Sequence, residues 1–317
     1  MAQLDLFAKA EAKPPIVDEV LRTVAARVPA HVRLGTSSWT FAGWKGLVYQ
    51  RDYASTQHFN REALSEYAEH PLFRTVGVDR AFYQPVPEEE LVAYAAQVPA
   101  QFRFVQKVWA RVASPLVDLQ VGGERKVLPN SDFLNPEIFL TTQVEPSRRA
   151  LGQKLGPFVL EVSPSRGQLA REAFEPKLLR FLAALPSDLQ IAVELREATL
   201  LTERYFAVLA ETGAVHCLNV WTNMPSLRRQ LQHPRTTDGS FALARLLLPQ
   251  GRQYQAMKER FAPFDRIVEP AHEVRAHVLE LIERTRARGT ETYIIVNNKL
   301  EGSSPLTVRA LAERMGS

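Results

Sequence analysis

The sequence predicts a (β/α)8 barrel: one closed parallel sheet ringed by helices, with an N-terminal arm and a long insertion after the third strand. Three observations carry this. Short apolar, β-branched runs alternate with amphipathic segments from residue 32 onward, the trace that βαβ units leave in a sequence. The runs number eight, the count that closes such a barrel. No G-x-G-x-x-G follows the first run, which tells against an open dinucleotide-binding sheet.

The elements follow in order. Residues 1–31 form the arm, in which Pro14-Pro15 separates a short head from an amphipathic helix around Val17–Arg27. Residues 32–317 form the barrel. Its strands are expected at Val32–Thr36, Thr75–Asp79, Phe102–Lys107, Phe158–Val162, Gln190–Leu195, Ala214–Asn219, Phe241–Leu247 and Thr292–Asn297. Helices are expected between them at Arg61–Glu69, Glu88–Gln97, Pro176–Leu185, Thr202–Thr212, Glu273–Arg288 and Leu306–Arg314. In Glu273–Arg288, Val274, His277, Val278, Leu281 and Ile282 share one face, with Arg and Glu opposite. Residues 110–147, rich in Pro, Gly and mixed charge, read as a lid or side wall over the strand ends.

Composition narrows the class of protein. The 317 residues are 45% hydrophobic and 23% charged, with 21 Pro, 15 Gly and one Cys. That excludes a disordered, collagen-like or disulfide-stapled chain. The single Cys217, in an apolar stretch, suits a reducing compartment. No apolar run approaches the roughly 18 residues of a membrane span, and Met1 to Asp5 lack the start of a secretion signal. A cytoplasmic protein without a membrane partner is expected. The net charge is only +4, yet 30 of the 39 basic residues are Arg. An Arg excess suits an anion-handling surface, and coding bias produces the same excess.

Barrel chemistry sits at the C-terminal strand ends. Those ends carry Asp79, Lys107, Glu161 and Glu194, the candidate catalytic residues, because close carboxylates drive their pKa values apart and so divide acid from base work. Glu194 and Arg196 are two apart and point to the same side of a strand; a buried ion pair at the rim is the bland alternative. Arg196, Arg245, Asn297 and Asn298 are candidates for binding substrate, with Trp39, Trp44 and Tyr83 as stacking surfaces. Ser303 opens a predicted helix with Pro305 near its start, a place where free N–H groups attract phosphate. None of the seven His stands at a strand end beside two carboxylates, so neither a metal nor another cofactor is expected.

These motifs resemble a known family. Gly35-Thr36-Ser37-Ser38-Trp39, then Trp44, Gly46 and Tyr49, resemble the opening of the YecE-like (DUF72) proteins. So do Phe82-Tyr83, Pro99 with Phe102-Arg103-Phe104, Leu155-Gly156-Pro157, Glu194-Leu195-Arg196, Arg245, and Asn297-Asn298 with Gly302 and Pro305. The resemblance spans about residues 32–315 and implies a (β/α)8 barrel with a site at its mouth, without a settled reaction. The chain departs from that pattern at three places. Gly77 and Asp79 stand where the family offers Glu-x-Asn, Glu161-Val162-Ser163-Pro164 where it offers Gln and two prolines, and Leu247-Leu248 where it offers His-Gly. The head carries a second resemblance. Gln3-Leu4-Asp5-Leu6-Phe7 is similar to the peptide with which bacterial replication and repair proteins dock on the sliding clamp, with Leu6 and Phe7 as apolar anchors.

Two functions are compatible with these residues. One is an enzyme acting on an anionic, phosphate- or nucleotide-bearing substrate by hydrolytic or isomerising acid/base chemistry. The other is a DNA-associated binding or repair factor recruited to the clamp, gripping nucleic acid without turnover. Steep salt dependence of DNA affinity would mark the second.

Overall fold

A computed structural model describes residues 17–121 and 124–315. Helix α1 (Glu19–Arg27) precedes β1 (Val32–Thr36); α2 (Thr56–Glu69) leads to β2 (Thr75–Val78) and α3 (Glu88–Ala96) to β3 (Arg103–Lys107). A short helix α4 (Ala110–Ala113) and an antiparallel hairpin, β4 (Leu116–Val121) and β5 (Glu124–Pro129), follow. Then come α5 (Pro136–Phe139), a π-helical turn (Leu140–Val144) and α6 (Glu145–Leu151), continuous with one another, before β6 (Leu155–Val162). The second half runs α7 (Arg171–Ala183), β7 (Ile191–Leu195), α8 (Glu203–Thr212), β8 (Val215–Val220), α9 (Leu227–Leu231), β9 (Phe241–Leu246), α10 (Tyr254–Phe261), α11 (His272–Arg286), β10 (Glu291–Val296) and α12 (Ser304–Ala312).

Strands β1, β2, β3, β6, β7, β8, β9 and β10 pair in that order, all parallel, and β10 returns to β1. The protein is a closed (β/α)8 barrel, and each of the eight expected strands overlaps one of these. Strands β7, β8 and β9 are buried along their whole length, as strands covered by helices on one face and by the barrel interior on the other must be. Helix ends follow local chemistry. Asp18 caps α1 by accepting from Leu21 N at 2.8 Å, and Thr202 caps α8. Gly213 ends α8 in the left-handed region, at φ 75°. Gly35 is required by a close approach: a Cβ there would lie 2.0 Å from the Thr75 carbonyl oxygen of the neighbouring strand.

Two expectations change. The helix of the arm is part of the barrel body, since Leu21, Val24 and Ala25 are buried in the main core. The Arg74 guanidinium fixes its exit by donating to the carbonyls of Pro29, Val32 and Val28 at 2.8, 3.1 and 3.2 Å. The insertion is only partly a side wall. Its second half, α5 to α6, is the barrel helix between β3 and β6: Phe139 is fully buried against Phe158 and Phe181, and α6 packs on α3. Polar composition hid this helix, because an interrupted pattern of 16 residues that includes a π turn does not keep a 3.6-residue period.

The barrel interior is layered. Val105, Val159, Ala192, Cys217, Leu243, Tyr293 and Ile295 form one buried apolar cluster. Two residues further along most of these strands, the inward positions turn polar.

Candidate active site

Side chains of a strand alternate between its faces. From the apolar cluster, two steps along each strand therefore reach Lys107 after Val105, Glu161 after Val159, Glu194 after Ala192, Asn219 after Cys217, Arg245 after Leu243 and Asn297 after Ile295. Asp79 joins them from the turn after β2, and Arg196 from the end of β7. Glu161 and Glu194 are register partners on adjacent strands. Guanidinium groups answer that like-charge proximity. Arg196 lies 2.5 Å from Glu161 and 2.8 Å from Glu194. Arg245 lies 2.5 Å from both Glu194 and Asp79, and 3.7 Å from Glu161. Lys107 pairs with Glu161. Three carboxylates and three cations thus form one connected network.

Above the network opens a cavity of about 370 Å³, within the usual range for small-molecule sites. Five cations line it (Arg80, Lys107, Arg196, Arg245 and Lys299) against two carboxylates, Asp79 and Glu161. Its aromatic walls are Phe41, Phe82, Tyr83, Trp221 and Tyr254. Tyr83 is 81% exposed and Tyr254 53%, so two rings at the rim are open to solvent over much of their surface. The Arg196 guanidinium lies 3.9 Å from the Trp221 ring centroid, which fixes its plane. A second cavity of about 270 Å³ shares Ser38, Asp79 and Arg80 with the first and reaches between Trp39 and Tyr94.

Burial raises the Glu161 pKa, but the Arg196, Lys107 and Arg245 charges outweigh it and hold the carboxyl well below its usual range. Glu161 is therefore ionised at every physiological pH and cannot act as a general acid. The Lys299 pKa also falls, from 10.5 to about 8, here chiefly because burial disfavours the charged form. Among the described residues, no three His, Cys, Asp or Glu side chains converge as a metal-holding group.

The model of "Protein of unknown function DUF72" matches residues 33–317. The chain belongs to the DUF72 family. Solved structures agree in fold. A DUF72 family protein from Enterococcus faecalis V583 is 18% identical over 90% of this chain and 95% of that one, with a TM-score of 0.61. One from Thermotoga maritima MSB8 is 20% identical over 89% and 97%, with a TM-score of 0.59. No curated protein matches. In this DUF72 protein Asp79, Glu161, Leu247 and Leu248 line the cavity. Asp79 pairs with Arg245, and Leu247 and Leu248 make an apolar side of the cavity.

Of the residues expected at the site, the fold brings Asp79, Tyr83, Lys107, Glu161, Arg196, Arg245 and Asn297 to the cavity. Five others need correction. Glu194 is fully buried beneath the cavity floor and touches Arg196 and Arg245; it positions those side chains and does not meet a ligand in this arrangement. Trp44 is fully buried, its indole N–H donating to Asn298 Oδ1 at 3.2 Å. Trp39 is 3% exposed, with Tyr94 edge-on at 4.9 Å, so neither Trp offers a free stacking face to the main cavity. Asn298 also accepts from Ser304 N and Oγ at 2.8 and 2.7 Å; it shapes the loop after β10. Ser303 does precede α12, but it is fully buried and outside the cavity lining. Gln3, Leu4, Leu6 and Phe7 lie outside the described residues.

Lys299 and Tyr254 are not among the expected site residues, whereas Trp221, placed by the sequence just after a strand, does line the cavity. Lys299 lies in the turn after β10, beyond the last residue that strand alternation reaches. Tyr254 follows a loop, where no periodicity points to a face.

Proposed function

We propose that this DUF72 protein is an enzyme for a small anionic substrate, phosphate- or nucleotide-bearing, transformed by acid/base chemistry of hydrolytic or isomerising type. The observation that carries this reading is the surplus of cations over carboxylates lining a cavity of small-molecule size at the C-terminal mouth of the barrel. Lys107, Arg196 and Arg245 would hold the anion. Arg is suited to this because its fork pairs with two oxygens of a phosphate or carboxylate. Asp79, whose side chain is 29% exposed against 12% for Glu161, is the carboxylate most open to a ligand and takes the proton-transfer role. Glu161 stays charged and fixes the three cations. Tyr83 and Tyr254 would cover a flat group at the rim.

The test is thermal stabilisation by pyrophosphate, nucleoside monophosphates and sugar phosphates, followed by a turnover screen on those that stabilise. Arg196→Ala should abolish the stabilisation. A protein indifferent to every phosphate compound, at concentrations far above about 1 mM, would remove the reading.

The Gln3-Leu4-Asp5-Leu6-Phe7 head supports a second reading, recruitment to the bacterial sliding clamp. A peptide of residues 1–12 should then bind clamp with Kd on the order of 1 μM. Replacing Leu6 and Phe7 with Ala should remove most of that affinity. No binding at high clamp concentration returns the motif to chance.

A further inference from the structure

We propose that Lys299 is a covalent amine site: its Nζ condenses with the carbonyl carbon of a small anionic aldehyde or ketone held in the barrel mouth, forming an iminium ion. This deepens the reading above and rests on it for capture of the anion.

The argument begins with pairing. Of the five cations lining the cavity, four have carboxylate partners: Lys107 with Glu161, Arg196 with Glu161 and Glu194, Arg245 with Glu194 and Asp79, and Arg80 with Glu90. Lys299 has none within 4.0 Å among the described residues. It is nevertheless 5% exposed. Its Nζ donates to Asn297 Oδ1 at 3.2 Å and lies 4.1 Å from the Tyr254 ring centroid. Such an amine is poorly compensated as an ammonium ion, and the groups facing it divide: Asp79 favours the charged form, Lys258 on α10 opposes it, and burial opposes it most. The outcome is a pKa of about 8, which leaves a useful fraction of nucleophilic amine near neutrality.

Position is fixed as well as charge. Asn297 is held by its Nδ2 donating to Ser37 Oγ at 2.7 Å. The loop that carries Lys299 is tied down on its far side by buried Glu301, which accepts from Thr307 Oγ1 at 2.6 Å and Arg275 at 2.9 Å. A nucleophile mounted this way does not lose reach to side-chain freedom.

In the step itself, the Nζ lone pair forms a C–N bond while the carbonyl π pair moves to oxygen; the nitrogen then gives up one proton and the oxygen takes one, leaving a neutral carbinolamine. A second proton on that oxygen lets it leave as water, and the nitrogen lone pair forms the iminium. Asp79, in the same cavity, can carry the protons. No electron donor or acceptor is needed.

The test uses the whole protein with glyoxylate and cyanoborohydride, which reduces an iminium to a stable carboxymethyl-lysine, followed by peptide mapping. Modification of Lys299 should exceed that of any other of the nine lysines by about tenfold or more. It should rise with pH through a midpoint near 8 and be absent in Lys299→Met. If that variant fails to fold, Lys299→Arg keeps the charge and gives the same readout. Uniform labelling, or fastest labelling at Lys107, overturns the proposal. Pyrophosphate separates the two readings. If it stabilises the protein while Lys299 remains unselected, anion binding stands and the amine site falls. If Lys299 is selected but pyrophosphate neither protects it nor binds, the amine site stands and the phosphate reading falls.

Discussion

Glu194 shows how burial changes what a carboxylate can do. Its side chain is fully excluded from solvent and sits between two buried arginines, accepting a hydrogen bond from Arg245 and ion-paired with Arg196. Arg196 Nε already has no partner. Glu194→Gln should therefore cost about 3–5 kcal/mol of stability, because two buried guanidinium charges each lose one carboxylate partner, Arg196 keeping Glu161 and Arg245 keeping Asp79. Chemical denaturation measures this as a lower midpoint with an unchanged slope. A variant as stable as the parent would mean that the arginines find other partners. The same residue marks the limit of sequence reading. Alternation along β7 correctly turns Glu194 inward, but depth along the barrel axis decides between ligand contact and support, and periodicity carries no depth. Asn297 and Asn298 make the complementary point: adjacent and identical in sequence, they face opposite sides of the chain, one towards Lys299 and one towards Trp44.

Among the elements, the π turn between α5 and α6 has the most direct bearing on the site. It places Gln143, which is buried, so that its Oε1 accepts from Trp109 N at 2.7 Å and its Nε2 donates to the Lys107 carbonyl at 3.0 Å. One side chain thus satisfies the backbone just past β3, where the sheet ladder ends and Lys107 must be presented. Gln143→Leu fills similar volume but strands both groups, at about 1–3 kcal/mol for each buried polar group left unpaired. Hydrogen exchange at Trp109 N–H should accelerate selectively, while amides in β8 stay protected. Equal acceleration everywhere would indicate general destabilisation. The strands were legible because buried parallel strands are short apolar runs with little else to compete. The helix containing this turn was not, since its local pattern and its tertiary role disagree.

At the scale of the whole molecule, acid sensitivity follows from two histidines far from the mouth. Burial lowers His70 from 6.5 to about 4, with Arg309 adding to the effect; burial likewise lowers His216 to about 4, against a hydrogen bond to the Gln230 amide oxygen. Both are neutral in the folded protein and protonate more readily when it unfolds. Their contribution is complete above the unfolded value of 6.5 and is lost as pH falls towards 4. Between about pH 7 and pH 5 the protein should lose about 2 kcal/mol per histidine. Glu161 works in the same direction at lower pH: its depressed pKa stabilises the fold above the unfolded value of 4.5 and is lost as pH drops below it. Urea titrations across this range check the sum, and His216→Gln should flatten part of the slope. Indifference to pH over that interval would show both rings to be solvated.

The apolar cluster beneath the charged layer has its own consequence. Val105, Val159, Ala192 and Ile295 are at most 2% exposed, and Tyr293 closes the lower end with its ring fully covered. The barrel is a tube stopped at the bottom. In the proposed reaction, whatever enters must leave by the same doorway, and a second reactant cannot approach from behind the first. Traffic is single file. Product should then compete with substrate for the one mouth, and product-inhibition kinetics should be competitive.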